Sequence, residues 1–329
     1  MYLQNRIKEE IFFVCIRKMP MTDCVSAAAP VKCSAAEMVS VRKFLSTHLI
    51  TFRTNRLRQM SLNILKTMEK DKWVCGVKPV GKPVLFVVHS GTNYLLDVCS
   101  GMINQLSHHF FLHPDHYNDT VISAFLNVTE SHYYLVCQYA LVFKGMDLTR
   151  KSFREQYESL FGLKCNSCRE NWILVIQTVH LVKHIRGILN TQFPFTNSGL
   201  LFYNLNEPST WERNILCWDR PTEIYVYFNA KPSLSPQCPP LGGNSTNGVV
   251  SQQQNADMLL ANCKKPTFSY QVQREFMGNV VSAFVFDGQW IVKDISDMPV
   301  TTPAEFKMIQ QIIKEDFTLE RLVNELTNC

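Results

Sequence analysis

Val84-Leu85-Phe86-Val87-Val88-His89-Ser90-Gly91-Thr92-Asn93-Tyr94-Leu95-Leu96-Asp97-Val98-Cys99 reads as strand, turn and strand. Residues 84–88 are β-branched or aromatic, types that fit a pleated, half-buried surface. Residues 89–93 bring Ser, Gly and Asn together, which is turn chemistry, and 94–99 returns as a second strand. Residues 280–295 repeat the pattern: a strand over 280–286, Asp287-Gly288, and a returning strand over 289–295. Asp and Gly both tolerate the positive φ that a two-residue type I′ turn needs. Hairpins of this kind argue for an antiparallel sheet and against a doubly wound parallel one.

The neighbouring segments extend the picture. Further strands are predicted at 121–128, 133–143, 200–205 and 223–228, and β structure over 73–99 as a whole. Apolar residues recur at helical spacing over 36–70, from Val41, Phe44, Leu45 and Leu49 to Leu57, Met60, Leu62 and Leu65. Helices are also expected at 102–112, ending before Pro114, and at 148–160. Residues 172–190 are apolar almost all round and read as a buried helix. Thr302, Pro303 and Glu305 form an N-terminal capping signature for a helix to about 316, and Thr318 caps a last short one. The expected fold class is α+β: mostly antiparallel sheet with packed helices, and a C-terminal β-hairpin followed by two helices.

Pro232, Pro236, Pro239, Pro240, Gly242, Gly243 and the run Gln252-Gln253-Gln254 make 231–263 a linker or loop. It separates a main α+β domain at 36–230 from a hairpin–helix–helix unit at 264–329, which shares or completes the same core. Residues 1–35 read as a loosely ordered lead. The 329-residue chain is 46% hydrophobic and 19% charged, enough apolar material for a sizeable core. No apolar run of eighteen residues or more occurs, so no membrane span is expected. The apolar stretch at 11–16 is short and follows Glu9 and Glu10, unlike a secretory signal. The expected location is therefore intracellular, cytoplasm or nucleus, with the twelve cysteines serving as thiols or metal ligands rather than disulfides.

Cys165 and Cys168 form a Cys-x2-Cys pair, and His180 and His184 follow after an eleven-residue gap. Two thiolates from one turn can take adjacent corners of a tetrahedron, and histidines four apart share one face of a helix. With Trp172 following Cys168 after three intervening residues, this segment is similar to a Cys2His2 zinc finger over about twenty residues. The resemblance implies one structural Zn ion and no open coordination position. Its departures are a one-residue shorter gap and a helix that runs on into Ile185 and Ile188. The competing interpretation is ordinary packing, since Cys is among the most buried residue types.

From Met38 to Met68 there are six basic residues before any acid: Arg42, Lys43, Arg53, Arg56, Arg58 and Lys66. Such a run is either a solvated face or a surface for an anion, nucleic acid or an acidic protein. The overall charge of +5 is too mild to decide between them. His89-Ser90 at a strand end lacks a nucleophile elbow, and His108, His109, His113 and His116 cluster around Pro114. No phosphate-binding loop or zincin motif is present. Together these features predict a non-enzymatic binding or scaffolding protein, zinc-stapled, with a protein partner, nucleic acid as a further one, and no small-molecule substrate. The alternatives are an enzyme with a Cys/His or Ser/His site assembled from distant positions, and a structural subunit of a virion or other assembly.

Overall fold

A computed structural model describes residues 31–48, 50, 57–106, 117–163, 172–209, 214–219, 224–229, 279–286, 289–295, 300–315 and 317–327. The fold is α+β, built on antiparallel sheets with helices packed against them. The chain divides into two compact units, Met1–Arg220 with Thr318–Cys329, and Pro221–Phe317.

The first sheet of the larger unit grows from the 84–99 hairpin. Strand β4 (Lys82–His89) pairs antiparallel with β5 (Thr92–Asp97), and Ser90 and Gly91 both take positive φ, 50° and 73°. These are the two central positions of a tight turn whose twist matches the strands it joins. On one side the sheet continues through β6 (Ile103–Leu106) to β1 (Val31–Lys32). On the other it continues through β7 (Thr120–Val128) and β8 (Tyr133–Phe143), with β9 (Met146–Asp147) paired to β8. The outer strand β10 (Trp172–Ile176) runs parallel to β8.

A second sheet has the order β11 (Val179–Leu181), β3 (Trp73–Pro79), β12 (Asn197–Asn204), β13 (Ile215–Asp219), β2 (Arg58–Gln59). Alternation along each strand sends one residue in two into a shared core. Leu85, Val87, Tyr94, Leu96 and Tyr139 of the first sheet meet Val74, Leu201, Tyr203 and Cys217 of the second. Helix α1 (Ala35–Thr47) enters the same core through Val41 and Leu45, both fully buried. Each such side chain contributes about 1.5–3 kcal/mol of burial. Between β7 and β8 the register shifts at Ser123/Ala124, which leaves Gln138 as an inserted residue. That bulge turns Gln138 inward beside Tyr139, and Gln138 donates to the Tyr203 hydroxyl, which donates to Gln177. Gln177 in turn donates to the Val77 carbonyl, so a satisfied polar chain ties one sheet to the other.

The opposite face of the first sheet buries Phe86, Ile122, Leu135, Leu160 and Trp172. It is covered in part by the 3-10 turn Ser159–Gly162, which follows α3 (Phe153–Glu158); α3 itself sends Phe153 into the core between the sheets. Helix α2 (Leu62–Thr67), α4 (Ile185–Leu189) and the 3-10 turn Val182–His184 form the seat of the last helix, α6 (Leu319–Thr327). The smaller unit holds a separate sheet, β14 (Val226–Asn229), β15 (Val280–Phe286) and β16 (Gln289–Ile295), and helix α5 (Pro303–Lys314). The expected capping box at Thr302 and Glu305 is present, and Asp287-Gly288 lies outside the described residues.

Four helices expected from the sequence are corrected. The 36–70 stretch is two helices separated by β2, because Ser61 caps a new start and Arg58–Gln59 are taken up by β13. Residues 103–106 are the strand β6, set by the turn in which Gly101 N–H donates to the Asp97 carbonyl. The 148–160 helix begins only at Phe153, where Ser152 and Glu155 close a capping box. The 172–190 segment is two strands, a 3-10 turn and one short helix. Its run is rich in Ile and Val, and pairing with β8 and β3 overrides helical periodicity in a short apolar segment.

Candidate functional site

His89 ends β4. It shares the strand face of Leu85 and Val87, so it points toward the layer that holds α1. Val88 pairs with Thr120 across the β4–β7 ladder, which brings Asp119 beside His89. His89 Nδ1 lies 2.8 Å from Asp119 Oδ1. Asp119 takes a left-handed backbone, φ 54°, a conformation that Asp tolerates better than most residues. Its carbonyl accepts from Gly145 N–H at 2.9 Å, and the adjacent Asn118 Oδ1 accepts from Gly91 N–H at 3.5 Å. The carboxylate is thus carried on a backbone pinned from two turns.

The other ring nitrogen faces α1. Ser40 Oγ lies 3.4 Å from His89 Nε2. Phe44, one turn along from Ser40, stacks on the imidazole at 4.4 Å between centroids and 7° between planes. Position i+4 puts Phe44 and Ser40 on one helix face, so the residue that fixes the ring plane also delivers the hydroxyl. In the tautomer whose Nδ1–H donates to Asp119, Nε2 is the acceptor turned to Ser40. This is the connectivity by which a carboxylate orients an imidazole and the imidazole takes a proton from a hydroxyl. The Ser40 side of the site is open to solvent, whereas His89 keeps 18% of its side chain exposed and Asp119 39%.

A second polar centre lies on the second sheet. Lys78 Nζ is 2.6 Å from Asp219 Oδ1, and Gln59 Nε2 donates to Asp219 Oδ2 at 2.8 Å. The Asp219 side chain is only 6% exposed. A Cβ on Gly199 would strike the Trp218 carbonyl and approach Asp219, so glycine there lets the strands close around the pair. The carboxylate is fully engaged, which makes this centre a structural clasp.

Of the expected zinc ligands, Cys165 and Cys168 lie outside the described residues. His180 and His184 do not share a helix face: His180 sits on β11 opposite Cys75, and His184 in the 3-10 turn that follows. Burial and the neighbouring His184 hold the His180 imidazole below its ordinary range. Among the described residues no cluster of three or more His, Cys, Asp or Glu could hold a metal ion. Of the basic run, Arg42 and Lys43 are exposed on α1, Arg58 on β2 and Lys66 on α2, while Arg53 and Arg56 lie outside the described residues. The His108–His116 group also lies outside them. Cys75, Cys137 and Cys217 are buried free thiols. Burial pushes Cys75 up to about 12 and raises the other two as well, so none of the three is a thiolate near neutral pH.

Ser40 and Asp119 were missed in the sequence, where only His89 and Ser90 drew attention. Asn118-Asp119 is a turn signal, but nothing local ties it or Ser40 to His89, 30 and 49 residues away.

No protein-family model matches the chain, and no curated protein matches it. Three solved structures similar to it are DNA ligases. One is a mycobacterial DNA ligase D complexed with ATP and MES, with TM-score 0.37 and 10% identity over 54% of this chain and 63% of that one. Another is the ligase domain of M. tuberculosis LigD, with TM-score 0.32 and 9% identity over 54% of this chain and 62% of that one. A third comes from work on DNA binding by Lig E DNA ligases, with TM-score 0.35 and 10% identity over 74% of this chain and 98% of that one. The chain spans less than two thirds of the length of the first two. These neighbours are enzymes by their names, which runs against the expectation of a non-enzymatic binding or scaffolding protein. At such low similarity no residue of this chain takes its role from them.

Proposed function

We propose that this chain is an enzyme that holds nucleic acid through its phosphate backbone. The observation that carries the binding half is the state of the basic residues. Lys43, Arg58 and Lys66 are exposed, and none forms an ion pair with a described carboxylate. Lys72, Lys151 and Lys183, by contrast, each have an acidic partner within 4 Å. Cations left without a protein counter-ion are available to displace the counter-ions of a polyanion. The enzymatic half is supported by the oriented imidazole at His89. Buried free thiols agree with a reducing, intracellular setting. Among the described residues no helix is long and apolar enough to cross a membrane.

The test is fluorescence anisotropy with a labelled DNA oligonucleotide over a series of salt concentrations. Affinity should fall steeply with salt, and the combined change Lys43→Ala, Arg58→Ala and Lys66→Ala should reduce the log–log slope by roughly 2–3. Binding that ignores salt, or a triple variant with the parent slope, overturns the proposal.

A further inference from the structure

The geometry points to Ser40 as a nucleophile that attacks phosphodiesters, with His89 as its general base and Asp119 as the residue that positions the imidazole. The three come from separate elements: the middle of α1, the end of β4 and the residue before β7. Their contacts run in the one order that chemistry needs, carboxylate to Nδ1 at 2.8 Å and Nε2 to hydroxyl at 3.4 Å. The longer of the two is within the range that such contacts show before substrate is bound. The stack of Phe44 on the imidazole removes ring rotation that would break the alignment. A structural histidine needs no exposed hydroxyl on its second nitrogen. Here that hydroxyl is exposed, on the side from which a large substrate could approach.

The choice of phosphodiester rests on the reading given under Proposed function. Lys43 is exposed one turn beyond Ser40, a spacing that puts both on neighbouring positions of the helix surface. A positive charge there suits the extra negative charge that develops on a phosphoryl group under attack. In the first step the Ser40 Oγ–P bond forms as the Oγ proton passes to His89 Nε2. The P–O bond to the leaving nucleoside oxygen breaks, and that oxygen takes the proton from Nε2. In the second step water gives a proton to Nε2 and its oxygen bonds to phosphorus. The P–Oγ bond then breaks and Ser40 Oγ recovers the proton. The sum is hydrolysis of the diester, with no other reactant needed.

The experiment has two arms, both on the full chain. In the first, a neutral fluorophosphonate probe reads the nucleophile without any need for nucleic-acid binding, and labelled peptides are located by mass spectrometry. Ser40 should label well ahead of the exposed Ser34 and Ser46, and His89→Gln should slow that labelling by about 100-fold or more. Asp119→Asn should slow it too and abolish the far-downfield proton resonance of a carboxylate-bound imidazole N–H, which a merely structural loss would not do selectively. Melting curves of both variants confirm that they fold. Ser40 labelling no faster than the other serines, or unchanged in His89→Gln, overturns the nucleophile. In the second arm, a labelled oligonucleotide that binds should form an adduct trapped on Ser40 by denaturation. Binding without adduct, when the probe does label Ser40, overturns the phosphodiester assignment. An oligonucleotide that fails to bind is the failure of the binding proposal, and the nucleophile is then decided by the probe alone.

Discussion

Asp219 and Asp119 are both carboxylates held at hydrogen-bond distance by a base, and they do different jobs because of where they sit. Asp219 has 6% of its side chain exposed and is saturated by Lys78 and Gln59. Asp119 has 39% exposed, and the histidine it holds turns its other nitrogen to an open serine. Desolvation makes the first pair expensive to break and leaves it nothing further to bind. Partial exposure makes the second pair worth little to stability and leaves its histidine accessible to react. The lesson is that the same pairwise contact is a clasp when sealed and a candidate tool when one end stays open.

The largest effect should come from breaking the sealed pair. Lys78→Met strands the Asp219 charge and should cost about 3–5 kcal/mol in urea unfolding with an unchanged m-value. A loss below about 1 kcal/mol would show that water reaches Asp219 and that the contrast with Asp119 is unsound. Asp119→Asn should change unfolding free energy by only about 0.5 kcal/mol while slowing Ser40 labelling; a large loss of stability would make it a clasp as well.

The smallest effect concerns the exposed capping carboxylates. Hydrogen bonds from Ser34 and Ser152 hold Glu37 and Glu155 below the ordinary value of 4.5. A carboxylate lowered on folding binds fewer protons in the native state, so its stabilisation is full above the unfolded value and is lost as pH falls through the native one. Thermal melts from neutral pH down through the carboxylate range should show a modest fall that is shallower in Ser34→Ala with Ser152→Ala. An identical pH dependence in that variant would remove the caps as its source.

The strands at 120–128 and 133–143 were legible because runs rich in β-branched and aromatic residues are bounded there by turn residues. The 172–190 segment was not, because a short apolar run of this length fits a strand and a helix equally well until its pairing partner is known. Its partner, β8, lies some forty residues earlier. The zinc geometry expected at His180 and His184 depended on that misread helix.

By itself the sequence determined the local elements with strong local chemistry: the turn around Ser90-Gly91, the capping box at Thr302 and Glu305 and the antiparallel character of the sheets. It also marked His89 as unusual. Only the tertiary structure decided that Ser40, Phe44 and Asp119 surround that histidine and that Lys78 is spent on Asp219. The physical reason is that turns and caps are settled within a few bonds of the residues that make them. Contacts between side chains 30 to 141 residues apart depend instead on strand register and sheet packing, which the whole core must decide at once.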